Sequence, residues 1–334
     1  MKLISTINAF ARGALVAAGL ALGLGAAQAQ EKVTIQIDGA AVPYYLPMFV
    51  ADHYGYFKEA GLEVEFLYAN AADILNNIAA GNVQFGFPNG DAVISARANG
   101  LPVKVVHSTY QRGIGAVLFK TSSGIETPAD LEGKKVAVTS YGSPNYIQLQ
   151  VMMAKADKSI DDVNVEIVGT GAILDALKSD QVDAIVFSML RYYALQAEGV
   201  DVGMIASDDY LPSKGNVLVT SESYLASNTE QVKAFITALD KALKHIVEGD
   251  VAAEVAMAIK EYSPTFAGQE EIVTEIINEV FVKTLWQSDD TRANGFGYGN
   301  LESWQTTIDT ALEYEAIPEK FDAADLVVEK PSEL

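Results

Sequence analysis

One block of the chain occurs twice, and this limits what the chain can fold into more than any other feature. DILNNIAAGNVQFGFPNGDAVISARANGLPV, residues 73–103, and AILDALKSDQVDAIVFSMLRYYALQAEGVDV, residues 172–202, align without a gap at a constant offset of 99 residues. Ile74 falls on Ile173, Leu75 on Leu174, Ile78 on Leu177, Val83 on Val182, Gly100 on Gly199 and Val103 on Val202. Each copy reads as a helix, a tight turn, a buried strand, a loop, a second helix, a glycine stop and the start of another strand. A solenoid needs three or more closely spaced repeats, so two distant copies imply two similar α/β lobes with a cleft between them.

The segment before the first lobe reads as an address. Lys2 and Arg12 give a positive start, 14–27 is a small and apolar run, and Ala27-Gln28-Ala29 is an A-x-A cleavage site, so 1–29 is expected to be an export signal. The 305 residues that remain suffice for two lobes with a core each. With no cysteine in the chain there is no disulfide framework, thiolate metal site, cysteine nucleophile or lipid-bearing cysteine, which leaves a protein free in the periplasm. Beyond the signal, 21 basic side chains face 44 acidic ones, a formal charge of −23 that argues against nucleic acid and anionic lipid as partners.

Taken in order, residues 33–37 alternate as a strand, 38–43 leave its carboxyl end as a loop, a helix opens at Tyr44, and 64–67 form a second strand, a crossover unit. Residues 103–108 are a buried strand left by the loop 109–113. The composition shifts near Ala116, which places the lobe boundaries at 30–115 and 217–334 for the first lobe and 116–216 for the second. Thr127 and Pro128 suit the start of a short helix. The loop 140–146 leads into a helix and presents backbone N–H groups with small hydroxyls. After a turn-rich crossing at 208–216 and a strand at 217–220, helices are expected over 222–225, over 228–248 with Asn228 as its cap, and over about 250–262, 269–287 and 300–315, packed behind the first lobe.

Five stretches carry a family resemblance: PMFVADHYGYFKEAGLEVEF, IAAGNVQFGFPNGDAV, TPADLEGKKVAVTSYGS, LKSDQVDAIVF and VLVTSESYLASNTEQVKAFITAL. Together they resemble periplasmic solute-binding proteins of ABC importers, in the group that binds thiamine pyrimidine precursors, riboflavin, alkanesulfonates, taurine and nitrate. The resemblance implies a two-lobed, type II-like α/β fold joined by two crossing strands, a ligand held by lobe closure, and docking of the closed form on an inner-membrane ABC permease. A monomer with no cofactor and no metal is expected. The fungal pyrimidine synthases of the same group carry a cysteine-rich motif that this chain cannot have.

Loops at the carboxyl edge of open α/β sheets hold ligands. In the first lobe these loops offer Asp38, Tyr44, Tyr45, Asn89, Asp91, Tyr110 and Arg112; in the second they offer Ser140, Tyr141, Ser143, Asn145, Ser188 and Arg191. Four tyrosines suggest a planar heteroaromatic solute held between aromatic faces, although each could instead pack from surface to core. Asp91, after Pro88-Asn89-Gly90, could cap a helix, bind ligand, or do both. Ser140, Ser143 and a bidentate Arg191 would instead suit a sulfonate, taurine, nitrate or similar small anion. His53, His107 and His245 have no metal-binding spacing, and no phosphate loop or nucleophile elbow occurs, so catalysis is not expected. A solute sensor that hands its closed form to a membrane receptor is the reading from a different class.

Overall fold

The computed structural model describes residues 30–141 and 143–334; the expected signal at 1–29 lies outside the described residues. Ten strands form two five-stranded sheets. The first contains β1 (Glu31–Asp38), β2 (Leu62–Ala69), β3 (Phe85–Phe87), β4 (Val103–His107) and β10 (Leu218–Ser221), in the order β2-β1-β3-β10-β4. The second contains β5 (Gly115–Lys120), β6 (Lys135–Val138), β7 (Asn164–Ile167), β8 (Ala184–Ser188) and β9 (Val202–Ala206), in the order β7-β6-β8-β5-β9. In each sheet the fourth position is antiparallel: β10 pairs with β3 and β4, and β5 with β8 and β9. The internal repeat is the reason the two orders agree, since β3 and β4 correspond to β8 and β9 at the offset of 99. The strand that completes each sheet lies next to a crossing between the sheets.

Each sheet is covered on both faces, as parallel strands require. On β1, Val33, Ile35 and Ile37 point to one side and pack with Phe49, Phe57, Phe85, Phe235 and Trp286. The opposite face of that sheet buries Ile74, Ile78, Val93, Val103, Val105, Val219, Trp304 and Ile308. The helix Thr229–Glu248 presents Val232, Phe235, Ile236, Leu239, Leu243 and Ile246 as one stripe and lies along the helices Leu46–His53 and Tyr56–Glu59. Asn228 stands at its start without capping it; the amide donates to the Tyr224 carbonyl at 3.3 Å. Helix Glu270–Ile276 continues as a π-helical stretch, Ile277–Leu285, which places Phe281 flat against Tyr44.

The two crossings run side by side. Gly215 N donates to the Arg112 carbonyl at 2.9 Å and Tyr110 N to the Asn216 carbonyl at 3.0 Å. A Cβ on Gly215 would sit 2.9 Å from that carbonyl oxygen and from the Tyr110 ring, so only glycine allows the ribbons to approach this closely. Among the described residues no helix is long and apolar enough to cross a membrane.

Candidate functional site

The carboxyl ends of β1 and β3 set the first-lobe wall of the cleft. β1 ends at Asp38, while β3 ends one turn before the helix Gly90–Ala98, whose N-cap is Asn89: its Oδ1 accepts from Ala92 N at 2.9 Å. The cap turns the chain so that Asp91, in the first helical turn, points toward the other lobe. There it meets Gln148 of the helix Pro144–Lys155, whose Nε2 lies 3.4 Å from Asp91 Oδ2. Gln148 is 4% exposed and lies over Gly115, where a Cβ would collide with its carboxamide. Among the described residues its Oε1 has no hydrogen-bond partner.

Two chambers open at this meeting of lobes and share Asp38, Asn89, Asp91 and Pro144. The smaller, about 210 Å³, is bounded by Gly113, Gly115, Asn145, Gln148, Phe187, Ser188, Ser213 and Lys214. The larger, about 440 Å³, is walled by Leu75, Ile94, Leu101, Ala311 and Ile317 on one side and by Pro144, Ile147 and Leu211 on the other.

The junction is acidic. Loss of water pushes Asp91 up to about 7, the nearby charge of Asp208 adds to this, and the Gln148 amide opposes it. Asp38 is also raised, chiefly by burial, against the backbone N–H groups of Gly39 and Ala71. Among the described residues Lys214 is the only Lys or Arg lining either chamber, and its ammonium is engaged by other protein groups. It is 8% exposed, donates to the Gln111 carbonyl at 3.0 Å and Ser303 Oγ at 2.9 Å, and is held below its usual pKa by burial. Arg112 is occupied by Asp208 at 2.8 Å and Asp209 at 3.1 Å. The site can therefore accept hydrogen bonds and stabilise positive charge.

A pH dependence follows with a definite sign. Asp91 titrates near 3.8 in the unfolded chain and near 7 in the folded one, so the native state binds the extra proton between those values. Stability from this group is full below pH 4, falls as pH rises to 7, and is level above. The ligand-free protein should melt a few degrees lower at pH 7.5 than at pH 5, and Asp91→Asn should flatten that slope in a thermal melt.

The structure brings Asp38, Asn89, Asp91, Asn145 and Ser188 to the chambers. It places the four tyrosines elsewhere. Tyr110 is 2% exposed in the core, edge-on to Phe87 and Phe281, and donates to the Tyr44 carbonyl at 3.0 Å. Tyr44 stacks on Phe281 at 5.5 Å, and Tyr45 packs on Phe87 and donates to the Asp38 carbonyl. Both rings leave the short 3-10 turn Pro43–Tyr45 and pack on phenylalanines, Tyr44 on Phe281 and Tyr45 on Phe87. Tyr141 is 59% exposed and edge-on to Tyr146. Ser143 caps its helix, accepting from Tyr146 N and donating to the Ser140 carbonyl, which occupies the hydroxyl; Ser140 is exposed. Arg191 lies over the Phe187 ring at 5.9 Å and lines neither chamber.

Gln148, Phe187 and Ser213 were not identified from sequence. Gln148 carried a usable signal: it is a polar side chain on a helix face otherwise made of Leu149, Met152 and Met153. Phe187 and Ser213 carried none, being an ordinary strand residue and one of several turn residues. Among the described residues, no three His, Cys, Asp or Glu side chains gather as metal ligands.

Comparison with known proteins adds a family, three relatives and a structural neighbour. The family pattern described as NMT1/THI5 like matches residues 42–253. The riboflavin-binding protein RibY of Chloroflexus aurantiacus is 26% identical over 282 residues, covering 83% of this chain and 79% of that one. The formylaminopyrimidine-binding protein of Halalkalibacterium halodurans is 28% identical over 290 residues, 84% of each chain. A 4-amino-5-hydroxymethyl-2-methylpyrimidine phosphate synthase of Aspergillus parasiticus is 28% identical over 247 residues, 70% of each. In fold, the chain superposes on the periplasmic aliphatic sulphonate binding protein SsuA of Escherichia coli with a TM-score of 0.69 at 17% identity, over 90% of this chain and 92% of that one. The two-lobed α/β architecture is thus that of periplasmic binding proteins.

Proposed function

The chain belongs to the NMT1/THI5-like family, and from that membership we propose that it is the solute-binding component of an ABC import system, capturing in the periplasm a planar nitrogen heterocycle that presents N–H donors. An aminopyrimidine is the favoured class. The lobes close on the solute and deliver it unchanged to a permease.

The observation that carries this reading is the pair Asp38 and Asp91 at the junction of the chambers, where among the described residues the one lining cation, Lys214, is engaged by Gln111 and Ser303. A sulfonate or nitrate would meet two carboxylates there, and bringing like charges together costs several kcal/mol. A ring amine or protonated ring nitrogen would instead form charge-assisted hydrogen bonds with them. Two relatives are named for a pyrimidine and one for a flavin, which supports a ring-binding cleft. The ligand is planar, and its ring lies beside Phe187 in the smaller chamber rather than between tyrosines.

Arg191 favours a second reading, a small anion. Among the described residues it has no ion-pair partner. A thermal-shift panel separates the two, with aminopyrimidines and flavins in one arm and taurine, alkanesulfonates and nitrate in the other. A ligand at a hundred times its Kd adds about 2.7 kcal/mol to the folded state. The proposal expects shifts with the rings alone; shifts with the anions alone would overturn it.

A further inference from the structure

The apolar part of the larger chamber has no role in the recognition described above, although that chamber is about twice the volume of the smaller one and shares Asp38, Asn89 and Asp91 with it. From its walls we infer that the solute is bipartite: a ring with N–H donors at the acidic junction, and an uncharged apolar substituent lying in the larger chamber. The inference rests on the heterocycle reading and extends it from ring class to substituent class.

Size is the first argument. Small-molecule sites run to about 300–1,000 Å³; the polar chamber, at about 210 Å³, falls short of that range, and the apolar one, at about 440 Å³, lies within it. Wall chemistry is the second. Leu75, Ile94, Leu101, Ala311 and Ile317 from the first lobe face Ile147 from the second. The Thr307 hydroxyl, which also borders the chamber, is already committed to the Pro212 carbonyl at 2.7 Å. Among the described residues no lysine or arginine lines the chamber. Asn76 and Ser95 also border the chamber, but the lining is mostly apolar and holds no cation to offset a phosphate, whereas an alkyl or aryl arm removes its own surface and that of the walls from water. Because Pro144 and Ile147 belong to the second lobe, the arm also bridges the lobes and adds to the drive for closure.

The test uses the chain from residue 30 and three 4-amino-2-methylpyrimidines that differ only at C5: hydroxymethyl, its phosphate ester, and benzyl. Calorimetric titration should rank benzyl tightest, by at least about tenfold over hydroxymethyl, with the phosphate weakest. Ala311→Phe, which fills the chamber from the helix Leu301–Glu313, should bring the benzyl-to-hydroxymethyl ratio to about one. The wild-type ranking stands alone if that variant does not fold. A phosphate that binds tightest, or a benzyl arm that gives no gain, would overturn the inference. Toluene, followed by ligand-observed NMR, separates the two readings. Toluene bound by wild type and lost in Ala311→Phe, with all three pyrimidines silent, would keep the apolar subsite and reject the heterocycle; silent toluene would reject the subsite.

Discussion

Asp91→Asn is expected to weaken binding of an aminopyrimidine by about 100-fold, roughly 3 kcal/mol, while making the ligand-free protein more stable at pH 8. Asparagine has nearly the same shape, but it cannot carry the charge that a ring N–H or ring cation pairs with at the junction. The charge is what the empty fold tolerates poorly. Asp91 is raised to about 7 because it is stripped of water beside Asp208, so at pH 8 the fold holds an ionised group against its preference. The neutral amide relieves that strain and can still meet the Gln148 carboxamide. Calorimetry and thermal melts on the same preparation should therefore move in opposite directions. A variant that lost both affinity and stability would assign Asp91 to the framework instead.

Trp304→Ala should cost about 3–5 kcal/mol of stability, read as a lower denaturation midpoint. The ring is fully buried between the helices that cover one face of the first sheet, and its Nε1 donates to Ser108 Oγ at 3.1 Å. It also supports the site. Gly90, which turns the chain between Asn89 and Asp91, has room only for a hydrogen: a Cβ there would lie 2.7 Å from Lys214 Cβ, 2.9 Å from the Lys214 carbonyl oxygen and 3.2 Å from the Trp304 ring. Removing the ring empties the space behind that turn. Ligand affinity should fall as well, because Asp91 loses its backing. Trp304→Phe keeps most of the bulk and gives up the hydrogen bond, so it should cost about 1 kcal/mol.

The repeat at an offset of 99 made the topology legible, because hydrophobic periodicity reports which face of an element is buried and the same pattern twice means the same sheet twice. Periodicity also located Asp38, Asn89 and Asp91, since each follows directly from where a strand ends and a helix begins. It could not orient Tyr44 and Tyr45. Whether a loop ring points into the cleft or under the sheet depends on the 3-10 turn Pro43–Tyr45 and on Phe281, some 240 residues away and displaced by a π-helical stretch. Arg112 was legible as a loop cation, but Asp208 and Asp209, which claim it, come from the return crossing. Contacts between the two crossings depend on the fold as a whole, and no local pattern encodes them.

The most direct test is calorimetric titration with the tightest-binding aminopyrimidine at pH 6 and pH 8, on wild type and on Asp91→Asn. If an ionised Asp91 receives the ring's N–H donors, wild-type affinity rises across that interval relative to the variant, because raising the pH supplies the carboxylate that the neutral protein lacks. Parallel pH profiles in the two proteins would contradict the account and move recognition away from the carboxylates at the junction.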